Sequence, residues 1–428
     1  MALEKVKVRV EDLEFGMYVT ELDRPWLASS FLFQGFPIRT DAELAKLREE
    51  HEWVIVDREK TPQELGARAL AASQRSGDSA KTKVVEIRRE PDPVKHRAAI
   101  KRDAPLVGQA RREGRKQVDD MMVRIQKGMP VDHGAAEQAV TGVMNSVTRN
   151  PDAAMMLMNL KQKQEDNAAH CVNTAALATI FSRHLTLPED MVESIAVGAM
   201  LHDLGKLRVP KEILEKPSAL TEAEETVVRG HCQAGYAVLK LMRNVTATSL
   251  DIVRHHHERV DGNGYPDGLK GEAISREVRV VTICDIYDEL ISDRPYRKGL
   301  TPHEALNEMS RDAAAHFGKS LFNEFIKCVG IYPVGSIVRL SNDSIGMVMS
   351  ANPQARLKPI VMMLLDQAGD AYKQETVVNL EIFSGKGTRE LTIRGAVDPA
   401  EEGLDVDAII MAQLTGGHDD SPWDWGDG

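Results

Sequence analysis

At 428 residues, with 42% hydrophobic and 28% charged side chains, the chain has ordinary globular composition and exceeds what one compact core fills, so two or three domains are expected and disorder can only be local. The net charge of −11 excludes long DNA or RNA as the main partner, because that binding needs a broad basic surface to displace phosphate counterions. No run of 18 apolar residues and no signal-peptide core occur, which predicts a cytoplasmic protein without a membrane span.

In chain order, strand-like stretches at Val6 to Val10, Phe31 to Phe33 and Trp53 to Val56 flank a short helical pattern from Asp41, where Asp41 can act as N-cap. This reads as a small α+β domain over residues 1–65. From 66 to 115 the pattern dissolves into Ser, Lys, Arg, Glu and Pro, and a mobile linker is expected. Its Arg and Lys residues have no aromatic interleaved, so a solvated segment is preferred over nucleic-acid binding. From Lys116, apolar residues recur at helical spacing, and helical patterns dominate a domain over 116–330. Alternation then takes over at Ile337, Val338 and Leu340, Met347 to Met349, and Ile360 to Leu365, which predicts a small β-rich appendage over 331–395. Residues 396–428 read as a tail, largely disordered at its acidic, turn-rich end.

The helical domain carries the chemistry. His170, His202, Asp203, His231, His256, His257 and Asp285 supply five imidazoles and two carboxylates. One divalent ion takes about four to six ligands, so the inventory suits two ions. Asp203 is the natural bridge, since a carboxylate has two oxygens and an imidazole offers one nitrogen to one metal. A metal pair can activate a water between them and stabilise the leaving oxygen of a phosphodiester. Gly205 is expected to relax the backbone after this pair, and Lys206, one turn beyond His202, to hold a phosphate oxygen.

Ala199 to Lys206 matches the HDxxGK box of HD phosphohydrolases. His256 to Pro266 resembles the HHExxDGxGYP box of HD-GYP domains, and the resemblance continues through Asp285 to Arg297. It covers about 155 residues in the family's order and spacing. Gly16 to Val19, Leu22 to Trp26 and Phe33 to Phe36 also resemble the domain of unknown function that often precedes HD-GYP domains. The fold class expected is multidomain: a mainly α-helical HD-type catalytic domain between the α+β and β-rich parts.

The resemblance implies that His170, His202, Asp203 and Asp285 hold one ion, iron or manganese, and that Asp203, His231, His256 and His257 hold the other. In some members a glutamate one turn before the first histidine reaches a third metal; here that place is Asp166, one methylene shorter. Lys206, Arg294 and Arg297 are implied to engage the ligand's phosphates or guanine, with Tyr265 on the substrate-binding rim. The implied activity is hydrolysis of cyclic di-GMP (c-di-GMP) by a metal-bridging hydroxide to linear pGpG, or to GMP where a second cut follows, with Asp203 and Lys206 serving catalysis. Diguanylate cyclase (GGDEF) proteins are implied partners at the GYP loop. The alternatives are an HD phosphohydrolase of another nucleotide and a c-di-GMP-binding or protein-interaction module with little turnover.

Plainer roles remain for several neighbours. His255 would sit about 100° around a helix from His256 and reads as a supporting or surface residue. Cys171, Cys232 and Cys284 each adjoin a candidate ligand, but a neighbouring helical position faces away, so they read as small buried filler.

Overall fold

The computed structural model describes residues 5–22, 36–38, 40–58, 60–62, 65, 68, 92–127, 129, 133–159, 167–214, 216, 218–242, 245–293, 297–352, 355–382 and 391–415. It divides into two units, Met1–Lys83 and Val84–Gly428.

In the first unit, strands β1 (Lys5–Arg9), β2 (Tyr18–Leu22), β3 (Phe36–Pro37) and β4 (Trp53–Asp57) form an antiparallel sheet in the order β1-β4-β2-β3. Pairing of Val6 with Val56 and of Val8 with Val54 puts the apolar residues of β1 on the buried face, as the two-residue period of a strand requires. Helix α1 (Asp41–Glu50) covers that face with Leu44 and Leu47. Its cap is Thr40 rather than Asp41: the Thr40 hydroxyl accepts from the Glu43 amide at 3.2 Å while Glu43 accepts from the Thr40 amide at 3.0 Å. This reciprocal box satisfies two end donors, which Asp41 at the first helical position could not. The strand expected at Phe31 to Phe33 lies outside the described residues.

The second unit corrects the linker. Helix α2 runs over Pro93–Gln126, capped by Asp92, whose carboxylate accepts from the amides of Val94 and Lys95. Proline at the first helical position after an aspartate is a helix start. The many charges conceal a stripe of Ile100, Ala104, Val107, Val118, Met121 and Ile125 that is buried along one side. Residues 69–91 of the expected linker lie outside the described residues.

Helices α3 (His133–Arg149), α4 (Pro151–Asn159), α5 (Asn167–His184), α6 (Glu189–Leu201), α7 (Lys211–Leu214), α8 (Glu222–Arg229), α9 (His231–Leu239), α10 (Ala247–His255), α11 (Arg276–Ile291), α12 (Pro302–His316) and α13 (Lys319–Val329) follow. Residues Ala168 to Arg183 of α5 are all buried, as expected of a helix packed on every side; α2, α3, α6 and α11 surround it.

Strands β5 (Ile337–Leu340), β6 (Ile345–Ser350), β7 (Ile360–Leu365), β8 (Ala371–Asn379) and β9 (Ile393–Ala396) make a second antiparallel sheet, ordered β8-β7-β6-β5-β9. It buries both faces. Met347, Met349, Ile360 and Met362 join the helical core, while Val338, Val348, Val361 and Met363 form a small core of their own. The expected tail is also corrected, because Val406–Thr415 forms helix α14 with Ile410 and Leu414 buried. It packs against α2 and α4; residues 416–428 lie outside the described residues.

Candidate metal centre

The centre lies where α5, α9, α10 and α11 meet the end of α6. His170 projects from α5, His202 and Asp203 leave the C-terminal end of α6, and His231 opens α9. His256 and His257 follow α10, and Asp285 sits within α11. All are buried except His257, which is partly buried.

Backbone carbonyls set the tautomers. Nδ1 of His202 donates to the carbonyl of Ala199 at 2.7 Å, Nδ1 of His231 to that of Val228 at 2.6 Å, and Nδ1 of His256 to that of Val253 at 3.0 Å. A carbonyl only accepts, so each Nδ1 carries the proton, and in the neutral ring Nε2 presents a lone pair. Burial, outweighing Asp203, lowers the pKa of His231; burial and the neighbouring His257, His202 and His231 push His256 well below the ordinary imidazole range. Two neutral nitrogens, Nε2 of His231 and Nε2 of His256, thus face each other at 3.2 Å. A cation between them removes that repulsion.

Asp203 divides its oxygens between two groups. Oδ2 lies 3.6 Å from Nε2 of His202 and 4.0 Å from Nε2 of His170, while Oδ1 lies 3.5 Å from Nε2 of His231 and 3.9 Å from Nε2 of His256. Asp285 Oδ1 completes the first group, 2.9 Å from Nε2 of His170 and 3.5 Å from Nε2 of His202. Ligands held about 2.1 Å from one ion at ordinary angles are about 3–3.6 Å apart. Two buried atoms, Nε2 of His202 and Oδ1 of Asp203, have no hydrogen-bond partner. Orphaned buried groups are costly, and these two face other metal-binding atoms. The residues present therefore fit metal ions.

Charge is arranged to the same end. Burial alone would raise the Asp203 carboxyl, but Lys206, His202 and His231 hold it well below the usual carboxylate range. The Lys206 ammonium donates to Asp203 Oδ2 at 2.5 Å. Burial works against that ammonium, yet Asp203 and Glu289 raise its pKa above the ordinary lysine value.

Asp288, which the sequence reading passed over, takes Nδ1–H of His170 at 2.7 Å and so fixes which nitrogen faces the centre. Its signal was spacing: three residues beyond Asp285 on a helix is the same face. Burial would lower the pKa of His170, but Asp285 and Asp288 outweigh it and hold the ring well above the ordinary value.

Gly205 has a different role from the backbone relaxation expected. A Cβ there would lie 1.9 Å from the carbonyl oxygen of His231, so glycine is what lets the segment after Asp203 touch the start of α9. The loop after His257 is fixed similarly. Buried Glu258 accepts from the amides of Asp267 at 2.7 Å and Leu269 at 2.9 Å, and a Cβ on Gly264 would lie 2.3 Å from the amide nitrogen of Arg259. Tyr265, held in that loop, stacks on His257 with centroids 4.8 Å apart, and the Arg229 guanidinium lies 5.2 Å from the tyrosine ring centroid.

The seven predicted ligands, Lys206 and Tyr265 thus gather in one place. Arg297 is exposed and donates to the carbonyl of Glu289 at 2.6 Å. Asp166 and Arg294 lie outside the described residues. His255 bonds Asp251 at 2.6 Å and Asp267 at 2.9 Å, tying α10 to the loop. Cys171, Cys284 and Cys232 are buried, but Cys232 does not face away. Its Sγ lies 3.5 Å from Nε2 of His231, because the His231 ring folds back onto Val228 and turns Nε2 towards the next residue.

Family models match for an HD domain over residues 152–321, a domain of unknown function (DUF3391) over 5–156, and a KOW domain associated with HD domain over 337–402. The chain is 34% identical over 379 residues to a cyclic di-GMP phosphodiesterase of Pseudomonas aeruginosa, covering 87% of this chain and 88% of that protein. It is 36% identical over 174 residues to the cyclic di-GMP phosphodiesterase response regulator RpfG of Xanthomonas campestris, covering 40% of this chain and 46% of the relative. An HDG"Y"P protein from Bdellovibrio bacteriovorus aligns over 75% of this chain and 98% of its own at 15% identity, with a TM-score of 0.44, too low to bear on the assignment. Fold and site are those of a metal-dependent hydrolase built on an HD domain. Within that class, the chain belongs to the HD-GYP family, and it carries the HD pair at His202 and Asp203 and the GYP triplet at Gly264, Tyr265 and Pro266.

Proposed function

We propose that this chain is a cyclic di-GMP phosphodiesterase that opens one phosphodiester to give linear pGpG, or GMP where a second cut follows, and so lowers c-di-GMP signalling. The observation that carries this reading is the orphaned pair, Nε2 of His202 and Oδ1 of Asp203, set among converging imidazole nitrogens. The relatives named above are cyclic di-GMP phosphodiesterases.

In this reading His170, His202, Asp203 and Asp285 hold one divalent ion and Asp203, His231, His256 and His257 the other, iron or manganese, with Asp166 the candidate for a third. Bound ions supply activation of water near neutral pH and neutralisation of phosphate charge. The chain's own residues do the rest. Asp203 stays ionised at neutral pH and offers one oxygen to each group. Asp288 and the carbonyls of Ala199, Val228 and Val253 keep four imidazoles in the donor orientation. Lys206, charged and 2.5 Å from Asp203, offers its remaining protons to a phosphate oxygen, where transition-state charge is worth most. Tyr265, Arg294 and Arg297 serve the nucleotide. The GYP loop, pinned by Glu258, presents a rigid rim to substrate and to a diguanylate cyclase partner. No helix among the described residues is long and apolar enough to cross a membrane, and we place the enzyme in the cytoplasm.

The test is anaerobic purification with metal analysis, then product identification from c-di-GMP, 3′3′-cGAMP and dGTP. The expected result is about two metals per chain and pGpG or GMP from c-di-GMP. Metal-loaded protein that binds c-di-GMP uncleaved, or prefers another nucleotide, overturns the reading. The 3′3′-cGAMP arm is needed because the chain is 32% identical over 162 residues to a 3′3′-cGAMP-specific phosphodiesterase of Vibrio cholerae, covering 38% of this chain and 37% of that protein.

A further inference from the structure

The two groups of donors in the centre differ in chemistry. His170, His202 and Asp285 offer two nitrogens and an oxygen, whereas His231, Cys232, His256 and His257 offer three nitrogens and a sulfur, each set lying within 4.8 Å of itself. We propose that Cys232 is a ligand, so that the ion held by His231, His256 and His257 sits in a nitrogen–sulfur position softer than its neighbour. This rests on the reading that the cluster binds metal.

Distances support it. Nitrogen about 2.0–2.1 Å and sulfur about 2.3 Å from one ion, at a tetrahedral angle, are about 3.5 Å apart. Sγ of Cys232 and Nε2 of His231 are 3.5 Å apart, and Nε2 of His231 and Nε2 of His256, at 3.2 Å, are spaced as two nitrogens on one ion would be. The unpartnered carboxylate oxygen lies at the same place. Oδ1 of Asp203, from a side chain with no exposure, has no hydrogen-bond partner and lies 3.5 Å from that same His231 nitrogen.

Adjacent residues ligating together is already the habit of this centre, at His202 with Asp203 and at His256 with His257. Cys232 is fully buried, where a neutral thiol is favoured until a cation replaces its proton, as metal binding to a cysteine requires. Cys171 and Cys284 also adjoin ligands, but neither appears with the donor groups. The consequence is unequal metal preference: the His231 side takes thiophilic ions first, and the His170 side accepts harder ones.

The experiment uses the full chain, stripped of metal anaerobically and reloaded with cobalt(II), with bound cobalt counted. Wild type is expected to show a near-ultraviolet sulfur-to-cobalt charge-transfer band, lost in Cys232→Ser and retained in Cys284→Ser. X-ray absorption of the wild-type cobalt form needs no variant, and should find a sulfur neighbour at about 2.3 Å. Cobalt bound with nitrogen and oxygen neighbours only, or a band surviving Cys232→Ser, overturns the role of Cys232 and leaves the metal centre standing. If wild type binds no cobalt, the metal centre itself fails and the inference with it.

Discussion

Two buried polar clusters in the same unit are built on opposite terms. Where α4 meets β6, Asp152 and Ser350, each 1% exposed, close on each other through a 2.7 Å hydrogen bond, although Nε2 of the neighbouring His96, 3.5 Å from Asp152, has no hydrogen-bond partner. At the centre, His202 and Asp203 are equally buried, yet Nε2 of one and Oδ1 of the other have no partner. The Asp152–Ser350 pair satisfies itself and reports on stability, whereas the orphans of the centre stand among other metal-binding atoms, where one cation can satisfy several at once.

The largest effect expected from breaking that contrast is at the centre. His202→Ala or Asp203→Ala should abolish turnover and lower bound metal, measured together by product assay and elemental analysis. A metal-loaded variant with undiminished turnover would sink the mechanism. Lys206→Ala comes next. It removes a charged donor acting on developing phosphate charge, so kcat should fall about 10²–10³-fold with bound metal retained. An effect confined to KM would make Lys206 a binding residue alone.

How far these roles were legible follows from how locally each is specified. The HD pair and the His256–His257 pair were readable because short boxes put ligand types next to each other in sequence. Asp288 was readable in principle from its spacing to Asp285, but its task depends on His170, which lies 118 residues earlier. Gly205 was noticed for the wrong reason, since the carbonyl that excludes a side chain there belongs to His231, across a tertiary contact. The part of helix α2 before Lys116 was taken for linker because its charged residues outnumber the stripe that packs, while Asp92 and Pro93, its actual start, resembled linker composition. Cys232 is buried as expected, but its facing was misread because helical direction locates a Cβ, whereas the orientation of the neighbouring ring is set by Val228.

A middle-sized effect sharpens the comparison in the metal-free protein. Burial pushes His257 down to about 3 and holds His256 well below its ordinary value. Below about pH 6.5 the unfolded chain binds protons at these rings that the folded chain does not, so their contribution is complete above that pH and is lost as pH falls. His170 and His202, whose pKa values are raised, contribute in the opposite sense and lose stability only as pH rises above about 6.5. Thermal melts of chelated protein should therefore show Tm dropping between about pH 6.5 and pH 4.5, with a flatter slope in His257→Gln. A Tm independent of pH over that interval would contradict the burial of neutral rings.

The smallest effect belongs to the Asp152–Ser350 pair. Ser350→Ala removes one buried hydrogen bond and should cost about 1–3 kcal/mol in denaturant unfolding, with kcat and bound metal unchanged. Loss of activity at matched stability would mean that the C-terminal sheet speaks to the centre.

The contact between Gly205 and the His231 carbonyl also bears on how such an enzyme can diversify. It works as a fixed spacer: the segment bearing Asp203 and the first turn of the helix bearing His231 already touch, main chain to main chain. Any side chain at position 205 would collide with the His231 carbonyl, so the floor of the site tolerates no respacing there. The adjustable ground lies away from that contact, at exposed side chains such as Arg297, which bonds the Glu289 carbonyl.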